Sequence, residues 1–283
     1  MSDKLPPQHQ DQQPGIEAEM TPRPESAAEG YKAAGKLSGK AAVISGGDSG
    51  IGRATAVAFA KEGADVAVLH LPSEQVDAEE TRRLVEAAGR RCLLFPGDIG
   101  DEAYVDQAVD AAAAAFGRLD LVLSNAAEQH VNEDFVTLPT AQLERTFRTN
   151  VFGAVFLIRA ALRHIKAGGS VLVTTSITAF RGSGKLVDYS MTKGAGLALV
   201  RALHQQLIEK GIRVNGVAPG PIWTPLIPAS FSEEDVAKFG ADTPMKRPGQ
   251  PDEVAACFVF LASDDASYIA GQVLHPNGGE IVA

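Results

Sequence analysis

From Lys40 onward the chain alternates short apolar or β-branched runs with longer amphipathic stretches, each pair separated by Gly, Asp or Pro. The runs are 41–45 (AAVIS), 66–70 (VAVLH), 91–95 (RCLLF), 120–124 (DLVLS), 170–175 (SVLVTT), 213–217 (RVNGV) and 272–275 (QVLH). Helix-like stretches lie near 50–62, 74–88, 101–116, 140–166, 188–210 and 251–262. Strands that are apolar almost throughout suit a sheet covered on both faces, and strands alternating with helices read as βαβ units. Right-handed crossovers then give an α/β fold over residues 39–283: a single Rossmann-type, doubly wound parallel sheet of about seven strands with helices on both faces.

Residues 1–38 follow another rule. Pro6, Pro7, Pro14, Pro22 and Pro24 fall among clustered Gln, Glu and Asp with few large apolar groups, and such a segment cannot fold alone. Two outcomes are open: a disordered tail, or an arm that orders against its own domain or a neighbouring subunit.

Charge and cysteine usage exclude several functions. With 26 Lys+Arg against 35 Asp+Glu, a formal charge of −9 and no basic run or aromatic-basic stripe, neither nucleic acid nor a membrane surface is an expected partner. The apolar run 254–263 is far shorter than the ~20 residues of a membrane span, and the polar start lacks the apolar core of a signal peptide. Cys92 and Cys257 are far apart and read as buried free thiols, while His9, His130, His164, His204 and His275 show no ligand spacing, so no metal is expected. A cytoplasmic location fits.

The first chemical signal is the loop Gly46-Gly47-Asp48-Ser49-Gly50-Ile51-Gly52, directly after the first strand and before a helix. Glycines at 46, 50 and 52 permit a tight turn and close backbone approach, and the following helix turns its free N–H groups and positive dipole end toward the loop, where a pyrophosphate would sit. At the tip of the second strand, His70-Leu71 offers no acid for ribose hydroxyls, and neither Ser49 nor Leu71 supplies a cation for a 2′-phosphate. NAD or NADP is the expected cofactor, with NAD favoured.

The second signal is Tyr189-Ser190-Met191-Thr192-Lys193, an i, i+4 pair that one helix face can point into one cleft. Ser176 closes a strand thirteen residues earlier, Asn150 lies in the preceding helical stretch, and Asn125 ends the strand DLVLSN. With GGDSGIG at 46–52, Asp98 in GDI, NAA at 125–127, TNVFG at 149–153, YSMTK at 189–193 and PGPIWT at 219–224, residues 39–281 resemble the short-chain dehydrogenase/reductase family. The GGDSGIGR loop, NAAEQ with His130, and the N-terminal extension look most like its bacterial general-stress and glucose/ribitol dehydrogenase-like subgroup.

The resemblance implies an NAD(P)-dependent oxidoreductase acting on a small alcohol, sugar, polyol or carbonyl compound. Tyr189 would be the acid/base, and because a phenol titrates near ~10, Lys193 and the oxidised nicotinamide would supply the positive field that lowers it. Ser176 would hydrogen-bond the substrate oxygen, and Asn150 would position a water linking Lys193 to solvent. Lys193 would also hold the nicotinamide ribose. Asp98, with Ile99, would meet the adenine; Asn125, Ala126 and Ala127 would lie along the adenosine ribose; Pro219, Gly220, Ile222 and Thr224 would border the nicotinamide. Ala127 stands where the family has a glycine, which shifts contacts there.

Specificity is expected from the loop 180–187 and from a lid near 223–249, with Glu128, His130, Arg181 and Trp223 as candidate contacts. The family's last strand and turn, matched by Gly271–Gly279, together with Gly194 and Gly196, points to a homotetramer. A catalytically silent dinucleotide-binding sensor or scaffold is the alternative, which the intact Asn150, Ser176, Tyr189 and Lys193 oppose. A methyltransferase or epimerase would need another cofactor pattern than this glycine spacing and PGPIWT.

Overall fold

The computed structural model describes residues 5–281. Seven strands form one parallel sheet in the order β3-β2-β1-β4-β5-β6-β7: β1 (Ala41–Ser45), β2 (Asp65–His70), β3 (Cys92–Pro96), β4 (Leu121–Ser124), β5 (Ser170–Thr174), β6 (Arg213–Val217) and β7 (Val273–Leu274). The order reverses between β1 and β4, which pair Ile44 with Leu123 and Ser45 with Ser124, so a crevice opens beyond their carboxyl ends.

Alternate strand residues feed two cores. On one face Ile44, Val68 and Leu123 meet α1 (Gly50–Lys61) and α9 (Pro251–Ala262) through Val57, Phe59, Phe258 and Leu261. On the other, Val43, Leu69, Val122 and Val171 meet α3 (Glu102–Phe116), α5 (Gly153–Ala161) and α7 (Val187–Leu207) through Val109, Ala112, Leu157 and Val200. β1 is buried along its whole length, as a central parallel strand must be.

Three features differ from the sequence reading. The stretch expected as one helix over 140–166 is α4 (Thr140–Phe147), a π turn at Arg148–Phe152 and then α5, because wider i→i+5 bonding around Asn150 inserts a bulge that periodicity does not register. Short helices α6 (Thr178–Arg181) and α8 (Glu233–Lys238) occupy segments read as loops, and α2 (Gln75–Ala87) follows a 3₁₀ turn at Pro72–Glu74.

The polar N-terminal segment, left open between tail and arm, is ordered against its own chain. Leu5 and Met20 join Trp223, Ile227 and Val236 in a third apolar cluster, and the Trp223 indole N–H donates to Pro22 O at 2.9 Å. Farther along, the N–H groups of Glu25 and Ala28 donate to Gln250 Oε1 and Asp252 Oδ1, both at 3.0 Å, which anchors the arm over the start of α9.

Candidate active site

The glycine loop leaves β1 at Ser45 and enters α1 at Gly50. Gly46, at φ +62, is where the chain needs the left-handed region, and a Cβ there would stand 2.8 Å from Ala126 Cα. A Cβ at Gly52 would stand 1.8 Å from Gly46 O, so only glycine lets α1 start this close to the loop. Asn125 braces the turn, donating from Nδ2 to Gly46 O at 3.0 Å and accepting the Thr174 hydroxyl at 3.0 Å. Its side chain is thus structural, and the residue also lines the crevice.

The expected cofactor residues, all except Gly52, line one cavity of about 880 Å³, and so do Ser176, Tyr189 and Lys193. The N-terminus of α1 is not as free as the sequence suggested. Glu17 of the arm accepts the Gly50 N–H at 2.6 Å and the Ser26 hydroxyl at 2.7 Å, and pairs with Arg53, all within a buried cluster. Burial pushes the Glu17 carboxyl up, against the pull of Arg53, Gly50 N–H and Ser26. One N–H at this helix end is therefore filled by the chain's own carboxylate, and Ser49 and Ile51 still face the cavity.

Beyond the tip of β2, Asp48, His70 and Glu74 close the far end of the cavity. Asp48 Oδ1 and His70 Nε2 are buried with no hydrogen-bond partner among the described residues, although His70 Nδ1 lies 2.9 Å from Leu71 O. Glu74 accepts the Leu71 N–H at 2.9 Å and lies beside Asp48; burial and the Asp48 charge push it up, and burial pushes Asp48 up as well. Glu74 was not singled out from the sequence. It stands four residues past the strand tip in the Pro72–Glu74 turn, so an acid sought at the tip itself is missed. Asp98 accepts the Gly100 N–H at 2.7 Å and lines the cavity with Ile99.

Tyr189 and Lys193 lie one turn apart on α7, both buried, with Lys193 Nζ 5.4 Å from the centre of the Tyr189 ring and donating to Thr174 O at 2.9 Å. Ser176, just past β5, accepts the Thr178 N–H at 3.1 Å and faces Tyr189. The lowering of the phenol was expected from Lys193 together with the oxidised nicotinamide, and among the chain's own groups burial governs the pair. Burial pushes Tyr189 up to about 12, with only the Ser176 hydroxyl pulling down, and the same burial lowers Lys193 to about 8.

Asn150 sits in the π turn, but its carboxamide is engaged elsewhere: Oδ1 accepts Glu128 N–H at 2.9 Å, and Nδ2 donates to Glu128 O at 2.9 Å and Thr192 Oγ1 at 3.0 Å. It clamps the NAAE segment and α7 together and makes no side-chain hydrogen bond with Lys193.

Of the four residues expected at the substrate end, Glu128 and Arg181 line the cavity. Glu128 is held by Arg145 at 2.9 Å, Thr149 at 3.1 Å and His130 at 3.3 Å, and its carboxyl stays below the usual range because these contacts outweigh burial. His130 therefore acts behind Glu128, outside the lining. Trp223 is fully buried under the arm and does not reach the cavity, because a large indole finds its apolar partners in Leu5 and Met20. In its place Ile227, Phe231 and Phe239 contribute apolar lining, and Pro14 and Gly15 of the arm contribute backbone.

A family model described as enoyl-(acyl carrier protein) reductase matches residues 46–280. A short-chain dehydrogenase of Burkholderia cenocepacia, solved with NADP, superposes with a TM-score of 0.80 at 32% identity, covering 86% of this chain and 98% of that one. The chain belongs to the short-chain dehydrogenase/reductase family. Within that family it is similar to general stress protein 39 of Bacillus subtilis, 52% identical across 99% of this chain and 97% of the relative. It is also similar to the glucose and ribitol dehydrogenase of Daucus carota, 50% identical across 99% and 98%. A short-chain dehydrogenase of Mycobacterium paratuberculosis bound to NAD has a TM-score of 0.79 at 28% identity, covering 86% and 98%. The chain is an oxidoreductase of this family. The two sequence relatives align through the arm, whereas the solved structures leave part of the chain uncovered.

Proposed function

We propose that the protein transfers a hydride between a nicotinamide dinucleotide and a small alcohol, sugar, polyol or carbonyl compound, with Tyr189 moving the proton. The observation that carries this is the convergence of Ser176, Tyr189 and Lys193 on the cavity lined by the glycine loop. The dinucleotide fits the residues present: glycine-close walls at 46 and 52, and unpartnered polar atoms of Asp48 and His70 at the ribose end. When bound, it supplies the hydride donor or acceptor. Ser176 holds the substrate oxygen, the Tyr189 hydroxyl gives it a proton or takes one, and Lys193 holds the nicotinamide ribose and adds positive charge beside the phenol. A screen of sugars, polyols, aldehydes and ketones with both dinucleotides, read at the nicotinamide absorbance, tests the reading. Absence of turnover with every pair, despite dinucleotide binding, would favour the silent sensor.

The Asp48–Glu74 pair favours NAD as the cofactor. Two neighbouring buried carboxyls can accept from ribose hydroxyls and offer no cation to a 2′-phosphate, whose charge would be buried there unpaired. The expected result is NAD binding at least about tenfold tighter than NADP by fluorescence titration. Equal or tighter NADP binding by the unaltered protein would reverse this assignment.

We further propose a homotetramer. Phe152, Val155 and Met191 are exposed on the π turn, α5 and α7, while Tyr268 is fully exposed before the edge strand β7. Apolar surface left in this arrangement suits burial against other copies. Light scattering at micromolar concentration should return four times the 29.7 kDa chain mass, and a single-chain mass would remove the claim.

A further inference from the structure

The arm meets both rims of the cavity at one residue. The Gln13 carboxamide donates to Gln129 O at 2.6 Å and accepts the Gln129 N–H at 2.8 Å, so it satisfies both backbone groups of a residue lining the cavity. The same amide donates toward Ala229 O at 3.3 Å and Ser230 Oγ at 3.4 Å, on the segment expected as a lid. Gln129 follows directly on NAAE, whose Glu128 is clamped by Asn150 and Arg145; Ala229 and Ser230 lie between the lining residues Ile227 and Phe231.

Neighbouring arm residues reinforce the bridge. Gln10 N–H donates to Pro228 O at 2.9 Å, and His9 Nδ1 lies 2.9 Å from Phe231 O. Pro14 and Gly15, immediately after Gln13, form part of the wall, and Gly15 sits so close to the lid that a Cβ there would stand 2.5 Å from Pro225 O.

We propose that Gln13 is a positioning residue that clasps the lid to the Gln129 segment and so sets how readily the cavity opens. The inference rests on reading this cavity as the dinucleotide and substrate site. The lid holds one short helix, α8, and turns bonded within themselves; besides a long contact of 3.5 Å from Ser230 Oγ to Gln129 O, its tie to the Gln129 rim runs through the Gln13 amide, which serves both sides at once. A side chain that bonds two segments joined through no strand pairing constrains their separation more than it stabilises either. Release of the dinucleotide then requires the clasp to break.

Gln13→Met is nearly isosteric and removes every hydrogen bond, and Gln13→Glu keeps the acceptor while turning a carboxylate on Gln129 O and Ala229 O. Hydrogen exchange in the dinucleotide-free protein should accelerate about tenfold at the Gln129 amide and across 226–231 in Gln13→Met, more in Gln13→Glu, with α7 and the sheet unchanged. Stopped-flow fluorescence should show NAD leaving several-fold faster. Unchanged exchange at 129 and 226–231, or exchange raised equally throughout the molecule, would overturn the clasp. Failure of the unaltered protein to bind either dinucleotide would overturn the reading of the cavity instead, and exchange would still decide the clasp.

Discussion

Tyr189→Phe loses about 10²–10⁴-fold in kcat/KM, the range general acid–base catalysis supplies, while the dissociation constant for the dinucleotide stays within a few-fold. The reason is local. The phenol is buried on α7 between Ser176 and Lys193, and removing one oxygen leaves the ring, the helix and the Lys193–Thr174 bond of 2.9 Å in place. The substrate oxygen keeps its Ser176 partner but has no proton donor. Steady-state kinetics with whichever substrate the screen returns, beside a fluorescence titration, make the measurement; wild-type rates in Tyr189→Phe would show that the proton moves by another group.

The titration of the pair sets a direction as well. With Tyr189 pushed up to about 12, the neutral phenol prevails through physiological pH, which is the form the proposed function needs for giving a carbonyl its proton. Lys193, lowered to about 8, is charged below that pH and loses its ammonium as pH rises through it. Reduction should therefore hold a plateau on the acid side and fall above about pH 8 as Lys193 loses its charge, while the phenol stays protonated throughout that range. A reduction rate that climbed from pH 7 to pH 9 would contradict this ordering.

Arg53→Ala destabilises the protein by about 3–5 kcal/mol, the cost of removing one partner from a buried ionic cluster. The guanidinium is buried with Glu17 and Asp77; it donates to Asp48 O at 2.9 Å, Thr81 Oγ1 at 3.0 Å and Asp77 O at 3.0 Å, and pairs with both carboxylates. Asp77 also accepts the Glu17 N–H at 2.6 Å, so without Arg53 two carboxylates face each other at the point where the arm enters the core. Thermal unfolding should shift down by roughly 10 °C for a chain of this size, with protease cutting first in the arm. Arg53→Lys restores little, because one ammonium cannot span the fork of partners. A shift under about 2 °C would show that the cluster contributes little net stability.

The sheet was legible because a parallel strand buried on both faces is written as an apolar run, and all seven strands begin and end within a residue of the expected limits. The glycine loop and the Tyr189/Lys193 pair were legible because each places its chemistry at fixed chain spacing. The arm's role was not. Glu17, Gln13 and Arg53 join the arm to the domain through pairings that span 33 to 217 residues, and pairings of that kind leave no periodicity in a polar segment. Trp223 was misplaced for the same reason: nothing near it in sequence announces Leu5 and Met20. The π turn escaped because a single bulge leaves the helical pattern of 140–166 nearly intact.

The arm's contacts also fix an order of events during synthesis. Residues 5–28 leave the ribosome long before their partners, which include Pro228, Gln250 and Asp252. At translation rates of about 5–20 residues per second, the arm waits roughly 10–50 s before its seat exists. A hydrophobic strap would spend that interval as an aggregation hazard. One built from Gln, Pro, Glu and Asp stays hydrated until the lid and α9 emerge, then docks through hydrogen bonds and a buried ion pair, so its polar composition suits the delay.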